Sequence, residues 1–151
     1  TFKESDTLSA GNEVVVFDTS FGKVAICICY DVRFPELIRL MALKGAGMVL
    51  VPAAFNHTTG PLHWELAFRS QAMYNQVFMV GTSSALDESA SYHSWGHTML
   101  ADPWGRVVQQ MGKEEGYIIS EIDLSMLDQV REQIPLLKHR RTDIYSLDLK
   151  K

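Results

Sequence analysis

The sequence predicts an α/β layered fold, and three features carry that prediction. Two runs, MVLVPAAF (48–55) and VFMVGTSSA (77–85), are continuously apolar, as strands covered on both faces are. The segment between them, PLHWELAFRSQAMYNQ (61–76), has helical character, so strand and helix alternate as they do in parallel crossover units. A hairpin signal then follows, with GHTMLAD and RVVQQM flanking the turn residues Pro103, Trp104 and Gly105.

The elements read in order as follows. EVVVFD (13–18) is a strand, TSFG (19–22) a turn closed by Gly22, and KVAICI (23–28) the returning strand. From Phe34 the period changes to that of a helix. Pro35 suits its first turn, the apolar stripe is Leu37, Leu40, Met41 and Leu43 or Lys44, and Gly45 and Gly47 end it. After the strand 48–55, Pro61 opens a helix whose stripe is Leu62, Leu66, Ala67, Met73 and Tyr74. Beyond the hairpin, GYIISEID (116–123) is a strand and SMLDQVREQI (125–134) a short helix capped by Ser125 and stopped by Pro135. The tail LLKHRRTDIYSLDLKK has no clear period and is expected to be extended. No repeat or low-complexity linker divides the 151 residues, so one unit is expected.

Composition narrows the function classes. Hydrophobic residues make up 46% and charged residues 21%, the balance of a soluble globular protein. A net charge of −4 and a pI near 5.7 give no support for a nucleic-acid partner. No apolar stretch reaches the roughly 18 residues that span a bilayer, so no membrane partner is expected. The segment TFKESDTLSAGNE is polar and does not read as a signal peptide. The two cysteines, Cys27 and Cys29, are too close along a strand to meet in disulfide geometry, which fits a reducing compartment, cytoplasm or mitochondrial matrix. No second Cys or His pair has zinc-ligand spacing, so no metal and no cofactor are expected.

The chemistry-bearing stretch is KVAICICYDVRFPEL (23–37). An apolar strand stops at Cys29 and turns into Tyr-Asp-x-Arg-Phe-Pro-Glu. Such a strand-to-helix turn lifts one side chain clear of the sheet, outside the strand's carboxyl end, and aims the next backbone N–H, that of Tyr30, at whatever the side chain attacks. The positive end of the following helix favours thiolate. An inert core cysteine is the other reading, and Cys27, inside the strand, fits it better. A thiol nucleophile needs a base. His57, His63, His93, His97, His139 and the carboxylates Glu4, Asp31, Glu36 and Glu65 all stay open on spacing alone.

ICYDVRFPELIRLMALKGAGMVLVPAAF resembles the nucleophile segment of the nitrilase superfamily, the carbon–nitrogen hydrolases. FNHTTGPLHWELAFRSQAMYNQVFMVGTSS, SYHSWGHTMLADPWGRVV and IDLSMLDQVREQIPLLKHRRTDIY continue the likeness over nearly the whole chain. The resemblance is strongest to the branch that hydrolyses the terminal (omega) amide of short dicarboxylic acid monoamides such as 2-oxoglutaramate and 2-oxosuccinamate. An amidase of another branch, such as one acting on deaminated glutathione, and a non-catalytic half-domain that binds through an exposed sheet are the alternatives.

The resemblance implies roles. Cys29 is the nucleophile that forms a thioester and releases ammonia, and the Tyr30 N–H assists at the oxyanion. Glu4, in TFKES, is the second family Glu, which holds the oxyanion lysine. Phe55, Asn56 and Thr58, with Thr59 beside them, border the pocket. Arg33 and Arg69 are the candidate partners for a substrate carboxylate. Asp31 and Arg33 are expected to brace the turn through a charge-assisted contact, Glu65 to act as a supporting acid, and Trp95, Gly96, His97 and Trp104 to pack.

The family domain is a four-layer αββα sandwich, and residues 1–151 correspond to its C-terminal half. The general-base Glu and the oxyanion Lys of the family have no counterpart among these residues. The resemblance therefore implies that activity needs the N-terminal half, and that a homo-oligomer forms.

Overall fold

The structure, a computed structural model, describes residues 4–149; the side chain of Glu4 lies outside the described residues. Its centre is one six-stranded mixed sheet whose strands lie side by side in chain order. Strands β1 (Val16–Thr19) and β2 (Gly22–Ile26) form the expected hairpin. Gly22 takes φ +127°, a conformation open to glycine, and its carbonyl accepts a 2.6 Å hydrogen bond from Thr19 Oγ1. Strand β2 runs parallel to β3 (Met48–Pro52), and β3 parallel to β4 (Phe78–Thr82). Strands β5 (Met99–Ala101) and β6 (Val107–Gln110) add the predicted antiparallel hairpin.

Helices α1 (Pro35–Leu43) and α2 (Gly60–Asn75) make the two parallel crossovers, each with proline in its first turn. Crossovers of one hand between successive neighbouring strands leave both helices on the same face. Ala25, Cys27, Val49, Val51, Met79 and Met99 point from the sheet into one core with Ile38, Met41 and Ala42 of α1 and Trp64, Phe68 and Ala72 of α2. Gly81 of β4 belongs there because its bare Cα admits the Phe68 ring; a Cβ would come within 2.6 Å of Phe68 Cζ.

The α/β class stands as predicted, but several local expectations do not. Helix α2 is rolled away from its predicted stripe: Leu62, Leu66, Met73 and Tyr74 are exposed, while Trp64, Phe68, Gln71, Ala72 and Asn75 are buried. The buried face holds the larger rings. Its polar members are paired in part: Gln71 Nε2 donates to Val32 O at 3.2 Å and Asn75 Nδ2 to Gln71 O at 2.9 Å, while Asn75 Oδ1 is buried without a partner. On α1, Met41 is buried as expected, but Ile38 and Ala42 complete its face and Leu43 is exposed.

Residues 116–123 join no ladder. They still alternate, with Tyr117 and Ile119 exposed and Ile118 and Ser120 half-buried. An alternating pattern specifies extended chain; a strand also needs an edge to pair with. Among the described residues, a side-chain bond, Ser120 Oγ to Gln109 Oε1, is what reaches β6 here. Helix α3 (Ser125–Gln133) starts where expected, but Ser125 is not its cap: Asp123 Oδ1 accepts the Ser125 N–H at 2.9 Å. The tail folds into turns instead of extending, with His139 N bonded to Pro135 O and Tyr145 N to Arg141 O.

Side chains alternate across a sheet. The face opposite the helices therefore carries Phe17, Val24, Ile26, Met48, Leu50, Phe78, Val80 and Leu100. Phe17 is 42% exposed, and Ile26, Met48, Leu50 and Val80 are half-buried. Two layers, a sheet and a helix pair, are thus described for this chain.

Candidate active site

The site grows out of the carboxyl ends of the three parallel strands. Cys29 follows β2, the Ala54–Thr59 loop follows β3, and the loop carrying Tyr92 follows β4. This is the rim where an open α/β sheet gathers reactive groups, because successive loops leave it in the same direction.

Cys29 has φ +49°, in the left-handed region, although it carries a Cβ. For an L-residue that conformation costs about 1–2 kcal/mol. Gln76 and His97 share this conformation, at φ +53° and +64°; Cys29 is the one of the three that follows a parallel strand at this rim. Asp31 holds the turn: its Oδ2 accepts the Ile28 N–H at 3.1 Å, and its own N–H donates to Ile28 O at 3.1 Å. Residues Cys29–Arg33 form a 3-10 turn, and α1 begins only at Pro35. The α-helical N-terminus expected beside the thiol is therefore displaced, since its partial charge fades within a turn.

The two thiols have separate fates. Cys27 is 5% exposed, and burial, with the Asp31 carboxylate second, pushes its thiol up to about 12. It stays a neutral core residue at physiological pH. Cys29 is half-buried, with Sγ 4.0 Å from the Ala54 carbonyl oxygen. That carbonyl also accepts a 2.6 Å hydrogen bond from the Tyr92 hydroxyl.

The other sequence-derived candidates are distributed unevenly around this centre. Tyr30 directly follows Cys29; its ring is exposed and lies edge-on to Phe34. Glu4 is the first residue of a 3-10 turn, Glu4–Asp6, and its side chain falls outside the described residues. Phe55 is buried, its ring 5.1 Å from Trp64 in an edge contact and 4.3 Å beneath the Arg33 guanidinium. Asn56 shapes the entry to α2. Its Oδ1 accepts from the N–H groups of Thr58 at 3.0 Å and Thr59 at 2.9 Å, and its carbonyl accepts from Gly60 N.

Asp31 and Arg33 do not brace each other. Arg33 instead reaches His63 Nδ1 at 3.0 Å and lines a groove of about 390 Å³ between α1 and α2 with Pro35, Leu66 and Tyr74. Arg69 donates to Gly105 O and to Glu65 Oε1, so both members of that pair serve the α2 surface. Trp95 and His97 pack as expected, stacked 4.2 Å apart.

Among the described residues no histidine ring makes a hydrogen bond to Cys29. His63 is held by Arg33, and His97 Nδ1 lies 2.6 Å from Trp95 O. A Cys–His pairing is therefore not assembled. Sequence reasoning assigned no role to Tyr92, which sits in an irregular loop with no periodic signal; its place inside SYHSWGH, a segment that carries the family likeness, was the available sign.

A family model described as carbon-nitrogen hydrolase matches residues 1–132. Omega-amidase NIT2-A of Xenopus laevis is 49% identical over 150 residues, 99% of this chain and 54% of that protein. The crystal structure of Saccharomyces cerevisiae Nit3, a member of branch 10 of the nitrilase superfamily, aligns at TM-score 0.87 and 46% identity, covering 91% of this chain and 51% of that one. That of the C. elegans NitFhit protein aligns at TM-score 0.93 and 39% identity, over 99% and 37%. The chain spans about half the length of the relatives it matches.

Proposed function

The chain belongs to the carbon–nitrogen hydrolase family, and on that premise we propose that it supplies the nucleophile of an amidase acting on the terminal amide of short dicarboxylic acid monoamides, 2-oxoglutaramate and 2-oxosuccinamate among them. The observation that carries the reading is Cys29: a thiol held at positive φ outside the end of a parallel strand, half-buried, next to a cysteine that burial keeps neutral. The similarity to an omega-amidase over 99% of the chain supports the substrate class.

In this mechanism the Cys29 thiolate adds to the amide carbonyl. The resulting oxyanion faces the Tyr30 N–H, and the carbon–nitrogen bond breaks as the nitrogen takes a proton and leaves as ammonia. Water then attacks the thioester, releasing the carboxylic acid and restoring the thiol. The general-base Glu and the oxyanion Lys come from polypeptide outside these residues, where they complete the four-layer sandwich over the apolar sheet face that carries Phe17 and Leu50. Glu4 holds that lysine. Asn56 and Thr58 frame the pocket wall through the turn they build, and Phe55 anchors that wall from beneath. Arg33 is the candidate cation for a substrate carboxylate. The exposed stripe of Leu62, Leu66, Met73 and Tyr74 on α2 supports assembly into a homo-oligomer. The reducing compartment inferred from the free thiols is the cytoplasm or mitochondrial matrix.

The test is ammonia release by the full-length protein across 2-oxoglutaramate, 2-oxosuccinamate and deaminated glutathione. Cys29→Ala should remove turnover and Cys27→Ala should keep it. Turnover by Cys29→Ala would end this reading; preference for deaminated glutathione would move the protein to the other amidase branch.

A further inference from the structure

We infer that Tyr92 is a positioning residue for the Cys29 nucleophile, because its hydroxyl and the Cys29 sulfur converge on one acceptor, the Ala54 carbonyl oxygen. The inference rests on the amidase reading above and adds a residue to it.

Three loops meet at that oxygen, one from each parallel strand: Cys29 after β2, Ala54 after β3 and Tyr92 after β4. The Tyr92 hydroxyl donates to Ala54 O at 2.6 Å, at the short end for such bonds. Cys29 Sγ lies 4.0 Å from the same oxygen. A carbonyl oxygen has two acceptor directions, and Tyr92 occupies one of them. A hydroxyl donating to that carbonyl fixes its direction, and with it the polar surface on which the sulfur rests. Burial, and then the charge of Cys29, push the Tyr92 phenol up, so it keeps its proton and remains a donor at neutral pH. Tyr92 is also 48% exposed, so its ring contributes little packing and its distinctive contribution is the hydroxyl.

On the thiol's own turn stand Tyr30, Asp31 and Arg33; Asp31 accepts the Ile28 N–H and Arg33 faces His63 of α2. Helix α1 brings Glu36 and Arg39, the latter donating to Tyr74 O. The loop after β3 brings His57, edge-on to Trp95, and the loop after β4 brings His93 and Asp87, the latter bonded to Ser89. Among the described residues, none of these groups has a hydrogen bond to Ala54 O or to Cys29 Sγ; Tyr92 shares that acceptor.

The experiment uses the full-length protein with Tyr92→Phe, Tyr92→Gln and Cys29→Ala. Iodoacetamide labelling of Cys29, read by peptide mapping, is followed against pH, alongside kcat and KM for 2-oxoglutaramate. Tyr92→Phe should shift the pH profile of labelling and slow labelling at neutral pH roughly 3- to 10-fold, the equivalent of one modest hydrogen bond. It should lower kcat by a similar factor with KM nearly unchanged. Tyr92→Gln, whose amide can still donate, should restore part of the shift. Wild-type labelling and kcat in Tyr92→Phe overturn the inference while leaving Cys29 as nucleophile. Lower kcat with an unmoved labelling profile also overturns it, since that is what a purely structural tyrosine gives. Turnover retained by Cys29→Ala removes the amidase reading and this inference with it.

Discussion

The φ of +49° at Cys29 makes a paired substitution informative. Alanine at this position keeps the Cβ and its left-handed strain; glycine does not. Removing the strain is worth about 1–2 kcal/mol to the folded state. Glycine gives back roughly 0.5–1 kcal/mol through the greater freedom of its unfolded chain. Cys29→Gly should therefore be more stable than Cys29→Ala by about 0.5–1 kcal/mol, both variants being inactive. In a chain of this size that corresponds to a few degrees in Tm. Cys27, whose φ is not positive and whose side chain is buried, provides the opposite sign: there glycine should be less stable than alanine. Urea denaturation of the full-length protein measures both pairs, with a constant m-value as the check that only stability has changed. Cys29→Ala at or above the midpoint of Cys29→Gly would refute the strained turn. A gain from glycine at both positions would show that the effect is not specific to the elbow.

Other expectations follow from the same geometry. Because the folded state holds the Cys27 thiol up to about 12, the unfolded chain ionises first as pH rises; stability should fall from about pH 9 upward and level off near the folded value. Cys27→Ala should flatten that limb of a pH–stability curve. Gly81→Ala should cost about 1–3 kcal/mol in urea denaturation, because the new Cβ meets the Phe68 ring. These 151 residues expressed alone should associate through the apolar sheet face and show no amide turnover. Loss of the base and of the oxyanion donor is worth roughly 10²–10⁴-fold each, so near-native turnover by the isolated chain would contradict the assignment of those groups to other polypeptide.

The layout of the sheet was legible because its signals are local. Apolar runs, a glycine turn and prolines at helix starts each act over a few residues, and they placed every strand of the ladder within a few positions. The 116–123 segment was misread for the same reason: alternation is local, while strand status depends on an edge that sequence does not display. Helix α2 was misread because Leu62, Leu66, Met73 and Tyr74 lie opposite Trp64, Phe68 and Ala72, so apolar residues occur all round it. Periodicity cannot choose between two apolar faces; shape against the sheet can, and it selects the aromatic one.

At the candidate site, Cys29 was legible because an apolar strand has no reason to end in Cys-Tyr-Asp-x-Arg-Phe-Pro-Glu. The strain at its backbone was not, since φ is a property of the closed turn. Arg33 was assigned to Asp31 by proximity in sequence, whereas the folded chain gives it His63 and the Phe55 ring, which lie on other elements. Tyr92 shares a carbonyl with Cys29 through a contact between residues far apart in sequence; its segment, SYHSWGH, carries the family likeness but no periodicity that would place the hydroxyl.

The central claim is that the sulfur at the exit of β2 attacks the substrate. Acid-quenching the full-length protein during turnover of 2-oxoglutaramate, then mapping its peptides by mass, tests this directly. The expected result is an acyl group on Cys29, labile to hydroxylamine, with Cys27 unmodified. Steady turnover with the acyl group on any other residue would contradict it.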